Sequence, residues 1–437
     1  MTTFAQRACT IYGNLSKCWT RRRLRFDVHV NPKKSSLEME PDEFVSFVPM
    51  EAIGEYGSLG LEDVRELTDV YDGYTYFADG DVIIAKITPC FENGKGALAG
   101  GLTNGVGFGT TELHVVRPGP KIDRHFLFYV SIAHDFRQLG ESKMRGAAGQ
   151  KRIDESFIKD WMAPLPSLDI QRRIVRFLDE MTTRVDELIE KKRELLDLLA
   201  EKRQALITLT VTKDLNPDPG DTTKVSDKLS EVYQGLPSGW SIKRLKYLAT
   251  YNDDVLPENT DEDMEIDYVE ISGVSLSSGI DKIKRMPLGK APTRARRMVC
   301  DGDILISTVR TYLRAITNVD AASPDLIAST GFCVVRPREG VDSSFLGWAA
   351  KSEPFVSEVV SRSAGVSYPA INASELVTIS IPCPPLNVQR QIAGFLAEKT
   401  GQIDAVTNQI RRSMEYLREY RSALITATVT GQLGDTL

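Results

Sequence analysis

Arginine, lysine and amide side chains recur in short polar or glycine-rich runs of this 437-residue sequence. The first half carries "TRRRLR" (20–25), Lys86, Lys95 at the end of "ENGK", and "SKMRGAAGQKRID" (142–154). The second half carries "APTRARRMV" (291–299), "STVRTYLRA" (307–315) and "SRSAGVSYPAIN" (361–372). Cationic side chains neutralise phosphates, and Arg, Asn and Gln can bond two atoms of one base edge. The candidate DNA-contacting residues are therefore Arg21, Arg22, Lys86, Lys95, Lys143, Arg145, Gln150, Lys151 and Arg152 in the first half. In the second half they are Arg294, Arg296, Arg297, Arg310, Arg314, Arg362 and Tyr368. Any one cluster also reads as an ordinary solvated face. For "TRRRLR" that plainer reading weighs more, because Trp19 and Leu24 match Trp240 and Leu245 and look like a core anchor.

No constellation for catalysis accompanies these runs. There is no GxxxxGK[ST] phosphate loop, and "ENGKGA" lacks the required first glycine. Neither HExxH nor GxSxG occurs, nor the Asn/Asp-Pro-Pro-aromatic signature of adenine methylases. The glycine-rich "GGLTNGVGFG" (100–109) reads as a flexible loop, since it does not join a strand cleanly to a helix. His29, His114, His125 and His134 all fall in the first half without counterparts in the second, which suits structural or surface roles. Cys9, Cys18, Cys90, Cys300, Cys333 and Cys383 are scattered with no CxxC pair, as expected of reduced thiols in a cytoplasm and not of a zinc site. The expectation is no catalytic residue, no metal and no cofactor on this chain.

The elements that must position the basic runs are written twice. "PLPSLDIQRRIVRFLDE" begins at Pro164 and "PCPPLNVQRQIAGFLAE" at Pro382, 218 residues later. At that offset Gln171-Arg172 matches Gln389-Arg390, Asp186 matches Asp404, and "ALIT" (205–208) matches "ALIT" (423–426). Upstream the offset drifts: "DGDVII" (79–84) echoes "DGDILI" (301–306), and "HVVRP" (114–118) echoes "CVVRP" (333–337). Two large copies make a pseudo-twofold molecule, not a solenoid of many short units. The segments 142–154 and 361–372 occupy equivalent places just before each long helix.

Both tail segments read as helices. Prolines precede them, and Asp169 and Asn387 stand where caps would be. In the first, one heptad position takes Leu178, Val185, Lys192, Leu199 and Leu206; its partner takes Ile174, Met181, Leu188, Leu195, Lys202 and Leu209. In the second, the same positions take Leu396, Ile403, Ile410, Leu417 and Leu424, then Ile392, Lys399, Val406, Ser413, Tyr420 and Ala427. A seam sustained over about five heptads argues for a coiled coil. Roughly 44 residues at ~1.5 Å each give a rod of about 65 Å. The runs "DVIIAKI", "TELHVVRP", "DILISTV" and "GFCVVRP" look like strands. "DRHFLFYVSIAHDFRQL" and "SSFLGWAAKSEPFVSEVV" look like helices.

The fold class is thus α+β, with two pseudo-repeated globular domains joined by two long antiparallel coiled-coil helices. The boundaries are an N-terminal extension 1–18, a first domain 19–166, a central helix 167–213, a linker 214–239, a second domain 240–385 and a C-terminal helix 386–433.

Taken together, the "PLPxLxxQRRI…FL" and "PPLxxQRQI…FL" motifs, "GDILISTVR", "FENGKGA" and "LPSGW" resemble the specificity subunits of type I restriction-modification systems. The resemblance covers nearly the whole chain, although the first domain has "LSKCW" where the second has "LPSGW". It implies that each domain recognises one half of a split double-stranded DNA target. It also implies that the helices act as spacer and dock two DNA methyltransferase subunits. Those subunits would supply S-adenosylmethionine chemistry, and motor-nuclease subunits would supply ATP- and Mg-dependent cleavage. The implied helix interface includes Ile174, Leu178, Met181, Val185, Leu188, Leu195 and Leu199 in the first helix, and Ile392, Leu396, Ile403, Val406, Ile410 and Leu417 in the second.

Composition fits a cytoplasmic globular protein, with 42% hydrophobic and 26% charged residues and no long apolar run. The net charge of −6 disfavours indiscriminate nucleic-acid binding but leaves room for local basic patches. A rival class is a non-enzymatic coiled-coil scaffold whose lobes bind protein; selective DNA binding with a methyltransferase partner separates the two.

Overall fold

A computed structural model of the chain describes residues 19–147, 149–213, 233 and 236–432. The expected N-terminal extension and most of the 214–239 linker lie outside the described residues, as do Cys9 and Cys18. The chain divides into two units. One holds residues 1–192 and 411–437; the other holds 193–410. Each unit therefore combines one globular lobe with the beginning of one long helix and the end of the other.

In the first unit, β1 (Thr20–Arg23), β2 (Val28–Val30), β3 (Phe44–Val48), β4 (Val64–Glu66) and β5 (Thr75–Ala78) are followed by β6 (Val82–Ala85), β7 (Gly96–Leu98), β8 (Val106–Gly109), β9 (Leu113–Pro118) and β10 (Met162–Leu165). They form one sheet of order β2-β9-β6-β7, another of order β4-β3-β8-β5, and the short pair β1-β10. Only β3 and β8 run parallel within the two larger sheets.

The second unit repeats this plan. Its strands are β11 (Ser241–Arg244), β12 (Ala249–Tyr251), β13 (Glu265–Val269), β14 (Val274–Ser275), β15 (Gly279–Ile280), β16 (Lys284–Pro287), β17 (Ala295–Met298), β18 (Ile304–Ser307), β19 (Ile316–Asn318), β20 (Leu326–Ser329), β21 (Phe332–Pro337) and β22 (Ser380–Cys383). The sheets are β12-β21-β18-β19, β16-β13-β20-β17 and β11-β22, and β13 and β20 are again the parallel neighbours. The β14-β15 hairpin, with Val274 opposite Ile280, has its counterpart in the first lobe as the single antiparallel bridge between Ile53 and Leu59.

Period-two alternation explains why the central strands are apolar on both faces. In β6, Val82 and Ile84 enter the core beneath the helices, while Ile83 and Ala85 enter the core between the sheets. β18 does the same, with Ile304 and Ile306 on one side and Leu305 on the other. The two helical runs of the sequence each break in two: Arg124–Ile132 and His134–Lys143 in one lobe, Ser343–Ala350 and Glu353–Arg362 in the other. Asp123 and Asp342 cap the first helix of each pair through side-chain acceptance of backbone N–H groups.

The repeated motifs pair with each other inside each lobe. Arg117 of "VVRP" donates through Nε and Nη2 to the two carboxylate oxygens of Asp81 in "DGD", both at 2.7 Å. Arg336 does the same to Asp303, at 2.8 and 2.9 Å. The carboxylates are almost fully buried, and the remaining lone pairs accept Ala78 N and Cys300 N, each at 2.8 Å. These bonds satisfy charges that burial would otherwise penalise by several kcal/mol.

The repeated glutamine explains the opening of each long helix. Gln171 is fully buried; its amide donates to Pro166 O at 2.8 Å and its oxygen accepts Asp123 N at 2.7 Å. Gln389 donates to Pro384 O and accepts Asp342 N, both at 2.8 Å. Each glutamine thus ties the proline turn before the long helix to the capped helix of the lobe. The following Arg172 and Arg390 are exposed.

The long helices are Leu168–Lys213 and Leu386–Val429. Asp169 and Asn387 lie in the first turn and not at the caps, because the intrahelical bonds already start at Ser167 O and Pro385 O. Asp169 instead pairs with Arg173 one turn on. Within each unit the two helical segments run antiparallel. In the first, Ile174 and Leu178 share a core with Leu424, Ile425 and Val429, and Asp186 pairs with Arg421. In the second, Ile207 and Val211 share a core with Ile392 and Leu396, and Arg203 pairs with Asp404.

The seam corrects one of the two expected heptad positions. Leu178 and Val185 are buried, as are Leu396 and Ile410; Leu199, Ile403 and Leu417 are half-buried. Of the expected partner position, Ile174 and Ile392 are buried against the lobes and Met181 is half-buried. Further along, however, Leu188 and Leu195 are each 44% exposed and Val406 is 45% exposed. The partner position actually runs one residue later, through Thr182, Ile189, Leu196, Arg203 and Thr210, and through Thr400, Thr407, Met414, Arg421 and Thr428. More than half of these residues are polar, so hydrophobicity alone selects the neighbouring leucines. Among the described residues no helix is long and apolar enough to cross a membrane.

This placement makes the two leucines unequal. Leu178→Ala opens a cavity and is expected to cost about 2–5 kcal/mol. Leu188→Ala, at a half-exposed site, is expected to cost under about 1 kcal/mol. Urea unfolding of the two variants against the wild type measures the contrast; equal losses would contradict the displaced seam.

Candidate nucleic-acid interface

A backbone hairpin stands at the same place in each lobe. Arg145 and Arg152 exchange N–H to carbonyl bonds of 3.0 and 2.8 Å. The hairpin is sewn to the segment leaving β6: Thr88 N donates to Lys151 O at 3.0 Å, and Ile153 N donates to Lys86 O at 2.9 Å. In the second lobe Ala364 and Ala370 exchange bonds of 2.9 Å each; Arg310 N donates to Pro369 O at 2.7 Å and Ile371 N to Thr308 O at 2.9 Å. The turns depend on glycine. Gly146 has φ 144°, and a Cβ there would lie 2.5 Å from Gln150 O. Gly365, at φ 113°, plays the same part.

The scaffold is common and its contents differ. The first tip carries Gln150 and Lys151, both exposed, flanked by Arg145 and Arg152. Beside it a cleft of about 1370 Å³ is lined by Arg21, Lys86, Lys143, Arg145 and Arg152 from the candidate set, together with His114, Asp135, Asp154, Glu155 and Asp160. The second tip carries Val366, fully exposed, and Tyr368, 61% exposed. The Arg310 guanidinium lies 4.5 Å from the centre of the Tyr368 ring. One tip is therefore cationic and the other aromatic and apolar with a single stacked cation.

The other candidates are held by their own lobes. Arg152 is bidentate to Glu112 at 2.9 and 2.8 Å, which holds that carboxyl below the usual range despite partial burial. Arg314 is bidentate to Glu353 at 2.7 and 3.0 Å. Arg362 bonds Glu358 and Thr378, and Arg22 pairs with the buried Asp27. Lys95 donates to Met50 O, and Arg296 to Pro257 O. Arg294 faces Glu270 at 3.7 Å and Tyr268 Oη at 3.4 Å, and Arg297 is half-buried. On the second hairpin and the Arg310–Arg314 segment bonded to it, Val366, Tyr312 and Leu313 are exposed large apolar residues outside the sequence-based set. The last two stand between Arg310 and Arg314, each with φ 53°. A search for cations passes over them, and apolar type by itself does not signal exposure.

Among the described residues no group of His, Cys, Asp and Glu could hold a metal. Cys90, Cys300, Cys333 and Cys383 are free thiols, and burial pushes the Cys333 thiol up to about 12. His114 is buried, with Nε2 3.0 Å from Ile153 O and Nδ1 3.4 Å from the Asn31 amide. Desolvation holds its pKa below the ordinary value, against the opposing pull of the Ile153 carbonyl. It is a structural residue at the root of the first hairpin.

Relatives of known class share this architecture. The family profile "Type I restriction modification DNA specificity domain" matches residues 29–198 and again 237–415. The specificity subunit of the Escherichia coli type I restriction enzyme EcoAI is 35% identical over 219 residues, which is 49% of this chain and 37% of that one. The EcoEI specificity subunit, also from Escherichia coli, is 37% identical over 192 residues, 43% of this chain and 32% of that one. The chain thus spans only about a third of the length of these two curated relatives. Among solved structures, a chain from a study of assembly and conformational transition of the type I R-M system superposes with a TM-score of 0.70, at 21% identity, over 94% of this chain and 97% of that one. The HsdS subunit from Thermoanaerobacter tengcongensis gives 0.52, at 21% identity and the same coverages. At that identity the likeness concerns the fold.

The buried histidine leads to a pH prediction. Its folded pKa lies below that of the unfolded chain, so its contribution is present above about pH 6.5 and is lost as pH falls. Between about pH 7.5 and pH 5.5, melting temperature is expected to fall further in the wild type than in His114→Gln. Parallel thermal melts test this, and identical pH slopes would contradict it.

Proposed function

The chain belongs to the type I restriction-modification DNA specificity family, and on that premise we propose that it is the sequence-recognition subunit of a type I restriction-modification complex. Each lobe reads one half of a bipartite double-stranded DNA target. The long helices set the gap between the halves and dock two methyltransferase subunits. The chain itself is non-catalytic and works in the cytoplasm. S-adenosylmethionine, ATP and Mg act on the methyltransferase and motor-nuclease subunits.

The observation that carries this reading is one scaffold used twice with different contents. The family domain occurs in both halves, and each lobe anchors a hairpin to the same strand-exit segment. The first hairpin presents Lys151 and Gln150; the second presents Val366 and Tyr368 beside Arg310. Cations and amides suit phosphates and purine edges, whereas apolar groups suit the thymine methyl. Two unlike readers make an asymmetric target.

The decisive experiment replaces residues 20–160 with the matching lobe of a relative and maps modified bases across the genome. One half of the recognised sequence is expected to change while the other half and the gap persist. Simultaneous change of both halves would overturn independent reading. A second expectation separates positioning cations from readers. Lys151→Ala is expected to lower the slope of log affinity against log salt by about 1 without altering the preferred sequence. Binding titrations of the complex at several salt concentrations measure it.

A further inference from the structure

One pair of residues appears in both copies and belongs to neither the lobe cores nor the hairpins. Arg203 and Arg421 are counterparts at the 218-residue offset, and so are Asp186 and Asp404. In the first unit Arg421 pairs with Asp186; in the second Arg203 lies 3.3 Å from Asp404. Both arginines are buried, at 9% and 8% exposure, in the middle of a helix seam.

Each guanidinium also touches its lobe. Arg421 lies 3.8 Å from the centre of the Tyr56 ring. Arg203 lies 5.9 Å from the Trp348 ring and donates to Ser277 O at 3.4 Å. One group therefore joins three elements: a helix end, a helix beginning and the lobe. The lobe side has little slack. Tyr56 holds φ 64°, and the next residue, Gly57, has φ 103° with room for a Cβ only 2.6 Å from Phe128. A non-glycine residue in that region carries strain that its surroundings must hold. In the second unit the Lys351 ammonium also faces Trp348, at 5.0 Å.

Neither arginine is an economical way to fill a seam. Both Nε atoms are buried; that of Arg421 has no hydrogen-bond partner, and that of Arg203 faces Asp404 Oδ1 at 3.3 Å without hydrogen-bond alignment. Well-packed apolar replacements of buried charges are often neutral or stabilising, and the best-attested use of such charges is to fix register. A device of this kind serves geometry more than stability. In a molecule that reads two half-sites from one frame, the geometry that matters is where each lobe stands on its helices.

We propose that Arg203 and Arg421 are positioning residues that hold each lobe at one setting on its helix segments, and thereby fix the number of base pairs between the two half-sites. This rests on the function proposed above. The sequences of the halves belong to the lobes; the sharpness of the gap belongs to these arginines.

The test is genome-wide mapping of modified bases in cells carrying the intact system with Arg421→Met or Arg203→Met. Both variants are expected to fold, with melting temperatures equal to or above wild type. Each keeps both half-sequences. Modification at gaps one base pair longer or shorter is expected to rise about tenfold relative to wild type, equal to ~1.4 kcal/mol of lost discrimination. A folded variant with a gap distribution as narrow as wild type overturns the proposal. If a methionine variant does not assemble, Asp186→Asn serves, since it leaves Arg421 in place and changes a half-exposed partner. Broadening in the same direction supports the proposal, and an unchanged gap overturns it. A wild type that yields a single bipartite motif is the control; absence of any bipartite motif there refutes the functional reading itself, and this inference with it.

Discussion

The core of the first lobe is closed by the far end of the chain. Leu424, Ile425 and Val429 are buried in one cluster with Leu24, Phe126, Ile174 and Leu178. His134 N, at the start of a lobe helix, donates to Thr426 Oγ1 at 2.8 Å. The second unit has the matching arrangement, with Ile207 and Val211 in the core and Glu353 N donating to Thr208 Oγ1 at 3.0 Å. Each lobe therefore needs the end of the helix that belongs, by sequence, to the other copy. This constraint explains why the helix segment is written twice. A single copy would leave one lobe with an open apolar surface and a helix with no seam. These contacts are among the most distant in the chain, so forming them carries a large loop-closure cost.

The residues shared by the copies are largely those that solve burial problems. Asp81 and Asp303 need Arg117 and Arg336, and the buried amides of Gln171 and Gln389 need the proline turns and the capped helices. Asn31 and Asn252 hold φ 54° and accept Val115 N and Val334 N, each at 3.0 Å. Such positions tolerate little change, because an unpaired buried polar group costs the full loss of its solvation. The hairpin tips obey no such requirement. Their side chains face solvent, so Lys151 in one copy can correspond to the Tyr368 region in the other while the backbone bonds persist. Agreement between the copies marks the frame, and disagreement marks the parts free to acquire specificity.

Much of this frame was legible in the sequence. Apolar runs that follow "DGD" turns and runs that end in "VVRP" marked the central strands, and proline clusters followed by a heptad marked the long helices. The misreadings have common physical causes. The seam was displaced because its second position is filled by Thr182, Arg203, Thr400 and Arg421, whose burial depends on partners more than 200 residues away in the case of the arginines. Asp169 is not the cap because the cap position falls two residues earlier, at Ser167, where the proline turn delivers the chain. The basic runs could not be sorted from sequence, since what separates Arg152 from Lys151 is Glu112, and what separates Arg314 from Arg310 is Glu353. Those acids lie roughly forty residues from their arginines, beyond the range of any local pattern.

The sorting of cations bears on how such a chain would bind DNA. Several of the arginines most conspicuous in the sequence are engaged within their lobes, and the net charge is −6. Each phosphate contact releases counterions and adds to affinity, so a surface with few uncommitted cations binds weakly by itself. On the proposed function this is an advantage. A recognition subunit rich in free positive charge would hold any DNA, and the difference between right and wrong sequences would be a small part of its total affinity. With several of the candidate guanidiniums fixed by carboxylates, a larger share of the binding energy would fall to a few tip residues, and on the proposed function further phosphate contacts would fall to the docked subunits. On that function, the ion pairs within each lobe would also sharpen the discrimination between target and non-target DNA.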